Sequence, residues 1–333
     1  MLNLQGWIRR RACVALIWAT MGPLHAQTEP APMATTDADA VQRSESTVNA
    51  HPLKPCDVSR LQPHEPSYAV YQKAEGDEAA LRAHYSFRYL LSPVPDSDVV
   101  ETESGKPCIY PPRFEAGWYL KYTGEFDFYA GSRESGPVIN RISNPGMHYR
   151  WRQPLDGVTA LRWFDLGLEH LSDGQTTEVR SPSEAARAQQ AYDEDDHKFF
   201  DSVSRGMNFV STEVRLGNTV DTFGSLYTKA RFYFHKDTDV TWGPWANKDV
   251  TISDYDVLRL TWVRRLGPQA GETSITWTLG EQGLATDSWD LDYLFSAQNR
   301  WTLYTRYHHG PLQTLSNYTQ ERQSLAIGLK FTP

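Results

Sequence analysis

The strongest constraint on this chain is an alternation of apolar and polar residues, repeated in stretches of about ten. Leu81, Ala83, Tyr85, Phe87, Tyr89 and Leu91 alternate with Arg82, His84, Ser86 and Arg88. Leu226, Ala230, Phe232 and Phe234 alternate with Tyr227, Lys229, Arg231 and Tyr233, and Trp289, Leu291, Tyr293 and Phe295 with Asp290 and Asp292. Side chains on a strand point alternately to its two faces, so each stretch has one greasy and one polar face. Eleven such stretches lie near 81–91, 116–127, 146–152, 160–171, 205–216, 223–235, 254–265, 273–281, 287–296, 300–309 and 323–331. A soluble β-sandwich also alternates. Strands of about ten residues with 12% aromatic residues fit a transmembrane antiparallel β-barrel better. The mean hydropathy of −0.56 agrees with this, because such a barrel has a polar interior. Arg82, Arg88, Lys229, Arg231 and Arg259 would then be packed into ion pairs in the lumen. Bacterial single-chain barrels have even strand numbers. The expectation is an all-β barrel of twelve strands, with the missing strand at Ser67–Tyr71 or within 116–130.

Residues 1–26 read as a signal peptide, with Arg9, Arg10 and Arg11 before a short apolar core. Residues 27–66, rich in Pro, Thr, Ala, Ser and Asp, read as a mobile lead-in. Residues 67–333 then form the barrel, with an insertion at about 173–203. No later stretch reaches 18 consecutive apolar residues, which excludes a helical membrane protein. The net charge of −8 excludes a nucleic-acid partner. Cys56 and Cys108 remain after the leader, and whether they pair is not decided by the sequence.

The chemistry-bearing stretch is Leu161 to Gly174, LRWFDLGLEHLSDG. On a strand, Phe164, Leu166, Leu168, His170 and Ser172 share the apolar face. A base and a nucleophile therefore sit about 6.5–7 Å apart between Cα atoms. A serine hydroxyl needs such a base to take its proton. Gly174 just beyond would leave backbone N–H groups open to an oxyanion. Alone, H-x-S reads most simply as the end of a strand. The following strand, SVSRGMNFVSTEVRLG, carries Ser204 and Asn208 on the same parity as Val210, Thr212 and Val214. A hairpin would set Asn208 beside His170, where a carboxamide oxygen can fix the imidazole tautomer without burying a charge.

At this point the chain resembles the bacterial outer-membrane phospholipase A family. LGLEHLSDG is similar to its H-x-S-N-G segment and SVSRGMNF to its S-R-S-W-N segment. MLNLQGW at the start and YTGEFDFYAGSRESGP at 122–137 are also similar, so the resemblance runs patchily over nearly the whole chain. It implies a calcium-dependent phospholipase of the A1/A2 type, with Ser172 as nucleophile, His170 as base and Asn208 as orienter. It implies oxyanion support from the Ser172 N–H and Gly174. The calcium ligands would be the Ser204 hydroxyl, the Gln175 carbonyl and, from a second subunit, the Ser135 carbonyl. Dimerisation would complete this site, and the active site would face the outer leaflet of the outer membrane. Asp173 stands where the family has Asn, Gln175 for Arg, Met207 for Trp, and Gly124 for a dimer-interface Gln, which predicts a weaker dimer. The insertion carries a helical-looking EAARAQQ and the acidic run Asp193 to Asp196, read as a surface cover and a solvated loop. The chain ends Phe331-Thr332-Pro333 rather than on an aromatic residue. The other function class open to such a chain is a non-enzymatic barrel, either a pore or a relative with a decayed site.

Overall fold

The computed structural model describes residues 60–74, 78–93, 99–101, 107–109, 116–130, 138–152, 161–175, 177, 181–194, 196, 199, 201–217, 223–234, 251–267, 271–296, 301–316 and 318–331. The leader, Cys56 and Ser135 fall outside these residues.

Twelve antiparallel strands form a closed wall. They are β1 (Ser67–Ala74), β2 (Ala79–Pro93), β3 (Gly117–Phe128), β4 (Val138–Arg152), β5 (Leu161–Asp173) and β6 (Arg205–Gly217). Then follow β7 (Ser225–Phe234), β8 (Leu258–Arg265), β9 (Glu272–Gly280), β10 (Gly283–Leu294), β11 (Trp301–Gly310) and β12 (Arg322–Phe331). Each pairs with its neighbour in sequence, and β12 closes on β1 from Ser324↔Ala74 to Phe331↔Ser67. Ser67–Ala74 is the strand missing from the eleven. Its two parities are mixed in polarity: Tyr68, Val70 and Gln72 are buried inward, while Tyr71 and Lys73 face outward. A short extra strand, Leu61–Pro63, extends β1 along β2 by pairing with Phe87–Tyr89, so the end of the lead-in belongs to the wall.

The outer surface carries the apolar parity. Leu81, Tyr85, Phe87, Trp118, Leu120, Leu166, Leu168, Trp289, Leu291, Leu325 and Ile327 are all exposed. Such a band of exposed hydrophobic residues is stable against lipid rather than water. The opposite parity fills the lumen with paired charges. Arg82 grips Asp127 bidentately at 2.7 and 2.8 Å. Glu169 meets Lys121, Lys229 at 3.2 Å and the Ser211 hydroxyl at 2.6 Å. Asp165 takes His148 and Arg150, each at 2.8 Å. These side chains line the barrel interior as buried ion pairs, each charge having a partner as burial demands, beside a cavity of about 510 Å³ between Glu213, Lys229, Asp290 and Arg306.

β4 starts at Val138, eight residues before the 146 expected from the pattern. The reason is a bulge. Asn140 has φ 50°, and the β3–β4 register shifts between Glu125 and Asp127. The Asn140 amide donates to Glu125 at 3.0 Å, holding this bend from inside. Both chain-terminal strand ends, Ser67 and Phe331, lie at one end of the barrel. The β5–β6 connection lies at the other and carries α1 (Pro182–Asp193). Ser181 caps α1 by accepting from Glu184 N at 3.3 Å while the Glu184 carboxylate accepts from Ser181 N at 2.8 Å.

Candidate active site

β5 and β6 pair with His170 opposite Asn208 and Ser172 opposite Gly206. Their inward neighbours fix which way the site faces. Glu169, Asp173, Met207 and Phe209 are buried in the lumen, so His170, Ser172 and Asn208 must point outward. His170 Nδ1 lies 2.9 Å from Asn208 Oδ1. An amide oxygen can only accept, so the ring nitrogen facing it bears the hydrogen and Nε2 is left with a free lone pair. Ser172 shares this face one pleat nearer the rim, and among the described residues no hydrogen bond joins it to the imidazole. On the other side of His170 the face continues as exposed Leu168 and Leu166.

The His170 backbone is held in an unusual way. The β4–β5 register runs Ser143↔Ser172 and then Gly146↔Glu169, which sets Pro145 against His170. Proline has no N–H for the ladder. The Asn144 side-chain amide supplies the bond instead, donating to the His170 carbonyl at 2.9 Å. Asn144 in turn accepts from Lys121 at 2.9 Å, so the lumen charges reach the backbone of the imidazole residue.

At the rim, Gly174 N donates to the Arg141 carbonyl at 3.3 Å. This corrects the expectation of an open Gly174 N–H, because β4 extends far enough to pair with it. What Gly174 does leave open is space: a Cβ built there meets nothing within 4 Å, and one at Gly206 meets only His170 Cε1, at 4.0 Å. The two glycines flank Ser172 and form a notch beside its hydroxyl. The Arg141 guanidinium donates to the Gly174 carbonyl at the edge of this notch.

Ser204 and Gln175 are brought together by the bridge between Thr177 and Val203. Ser204 N donates to Thr177 O at 2.7 Å and Thr177 N to Ser202 O at 2.8 Å. The Ser204 hydroxyl donates to the Asp173 carbonyl at 2.9 Å, which leaves its lone pairs free. The Asp173 carboxylate is turned into the barrel, against Ser316 and, at 2.9 Å, Gln175 Nε2. Its charge is therefore on the lumen side of the wall. Met207 packs inside against Phe209, Ile252, Leu315 and Tyr318, so that departure is also a lumen change. Asp193, Glu194 and Asp196 are exposed on the insertion, as a solvated loop requires. Among the described residues no cluster of three His, Cys, Asp or Glu side chains is placed to hold a metal.

Three residues at the site were not visible in the sequence: Arg141, Asn144 and Gly206. Arg141 shares parity with outward Met147 and Trp151, but the Asn140 bulge and Pro145 mask that continuity. Gly206 carried a signal, being two residues before Asn208 on the site's parity.

A closed twelve-stranded antiparallel barrel with an apolar outer face and a charged interior is a barrel of the bacterial outer-membrane type. Among solved structures the fold is that of outer membrane phospholipase A. The chain is similar to the Escherichia coli enzyme, with a TM-score of 0.58 and 15% identity over 82% of this chain and 94% of that one. It is similar also to a Salmonella typhi outer membrane phospholipase dimer with bound calcium, with a TM-score of 0.56 and 16% identity over 82% and 92%. No protein-family model matches the chain, and no curated protein matches it by sequence.

Proposed function

We propose that this protein is a calcium-dependent phospholipase of the A1/A2 type, acting on phospholipids of the outer leaflet of the outer membrane. The observation that carries the reading is the 2.9 Å contact between His170 Nδ1 and Asn208 Oδ1 on the lipid-facing side. A lipid-facing wall has no need of a polar pair there, and in the neutral ring this contact turns the lone pair of Nε2 to the outer face that Ser172 shares. A pore would have no use for it.

In this reading the acyl chains lie along Leu168 and Leu166, with the ester in the notch at Ser172. His170 Nε2 takes the proton of the Ser172 hydroxyl as its oxygen attacks the ester carbonyl. The proton then passes to the leaving glycerol oxygen, and a water attacks the acyl-serine in the same way. Asn208 keeps the imidazole turned throughout. Ser204 and the Gln175 carbonyl would hold the metal, together with the partner's Ser135 carbonyl and water. When bound, calcium supplies positive charge for the developing oxyanion. The neutral oxygen set suits a hard cation, and the free lone pairs of the Ser204 hydroxyl support the assignment.

Chelation tests the metal. Hydrolysis in mixed micelles is expected to stop in excess chelator and return with calcium, while the barrel keeps its heat-modifiable gel mobility. Ser204→Ala should raise the calcium needed for half-maximal rate by about tenfold or more, since even an outer-shell partner is worth roughly 10–100-fold. Full activity in chelator would remove calcium from the mechanism.

The dimer is proposed to be weak. Gly124 faces outward beneath Tyr85, whose Cζ lies 2.3 Å from where a Gly124 Cβ would be. Tyr85 stacks on Tyr122 at 6.1 Å, so this patch is aromatic rather than polar. Cross-linking without calcium or substrate should give mainly monomer. Gly124→Gln should strengthen the dimer only when Tyr85→Ala removes the covering ring. A persistent wild-type dimer under those conditions would overturn this.

A further inference from the structure

We propose that Arg141 is the phosphate anchor of the site, the residue that makes it select phosphodiester-bearing lipids over neutral diacylglycerols. The inference rests on the phospholipase reading and adds a residue and a specificity to it. Arg141 lies on β4, two residues from Ser143, which pairs with Ser172. Diagonal neighbours on one face of a sheet are about 7–8 Å apart, within reach of an arginine side chain. The guanidinium is docked on the Gly174 carbonyl, at the rim side of the open notch beside Ser172.

The direction matters. Going down β5 from Ser172, the outer face is apolar at Leu168 and Leu166. Going up, it reaches Gly174 and the guanidinium. A glycerophospholipid with its chains on the leucines and its ester at Ser172 carries its phosphate on the upper side. A guanidinium offers several N–H donors in a planar fork that matches a phosphate, and one donor on Gly174 O leaves others free. The Asp173 carboxylate does not compensate this charge on the outer face, because it is bound inside by Ser316. An arginine at a lipid-facing rim has a polar headgroup layer to reach into. Calcium would serve the ester oxygen; Arg141 serves the diester two positions away.

The test compares a diacyl phosphatidylcholine with the matching diacylglycerol, both in mixed micelles with calcium. For Arg141→Ala the ratio of kcat/KM, phospholipid over diacylglycerol, should fall about tenfold, mostly through KM for the phospholipid. Arg141→Lys should recover part of it, since an ammonium keeps the charge without the fork. A second measurement needs no turnover. Full-length Ser172→Ala protein should bind a short-chain phosphatidylcholine about tenfold more tightly than Ser172→Ala/Arg141→Ala protein does. An unchanged substrate ratio, or equal binding by the two proteins, overturns the anchor. Absence of hydrolysis by the wild-type protein overturns the phospholipase reading instead, and the binding comparison still decides Arg141.

Discussion

Replacing Ser172 with Ala is expected to lower phospholipid hydrolysis to the uncatalysed background, a loss of at least ~10⁴-fold. His170→Ala should be nearly as severe, because members of one catalytic unit are strongly non-additive. Asn208 only orients the imidazole through its 2.9 Å contact, so Asn208→Ala should leave measurable activity. Positioned acid–base chemistry is worth roughly 10²–10⁴-fold, and the Asn208 loss belongs near the lower figure. Asn208→Asp should keep substantial activity, since a carboxylate accepts the same hydrogen bond. All three side chains project from the outer face, so none of the variants should alter heat-modifiable mobility. Calcium-dependent lipolysis persisting in Ser172→Ala would move the nucleophile elsewhere, and no lipolysis by the wild-type protein would restore the non-enzymatic barrel.

The second large effect is on stability and comes from the other face of the same strand. Glu169→Ala should weaken the barrel by about 3–5 kcal/mol, the usual cost of leaving a buried charge without its partner. Lys121 and Lys229 would then lose the carboxylate that both of them touch, and the Ser211 hydroxyl would lose its acceptor. A lower urea midpoint in lipid vesicles would register the loss. Glu169→Gln, which keeps an acceptor, should cost less. A midpoint unchanged in Glu169→Ala would mean that these pairs add nothing to the fold.

The alternation of Leu81 to Leu91, and of the later strands, was enough to give the barrel and eleven of its strands, and the even strand number of such barrels supplied the twelfth. β1 was harder to see because its parities are mixed, with Tyr68 and Val70 inward beside Gln72, and Lys73 outward beside Tyr71. The first half of β4 was hidden by a bulge at Asn140 and by Pro145, features that break period two without ending the strand. His170 and Asn208 could be paired from parity and the resemblance, and the register sets them opposite each other. The Arg141 guanidinium on Gly174 and the Asn144 amide standing in for a missing proline N–H could not be read, since both depend on that same hidden stretch. The inward turn of Asp173, against Ser316 from 143 residues away in sequence, was not read either.

The alternating wall also bears on how such a protein diverges. Half the strand positions touch hydrocarbon, a solvent with no shape of its own, so Leu, Ile, Val or Phe serve nearly alike wherever no chemistry is attached. The inner half must satisfy its charges, yet one acid–base pairing can replace another. Drift can therefore rewrite most of the letters while the strand count and register stay put. Such a wall lets a chain have the fold of outer membrane phospholipase A at 15% identity.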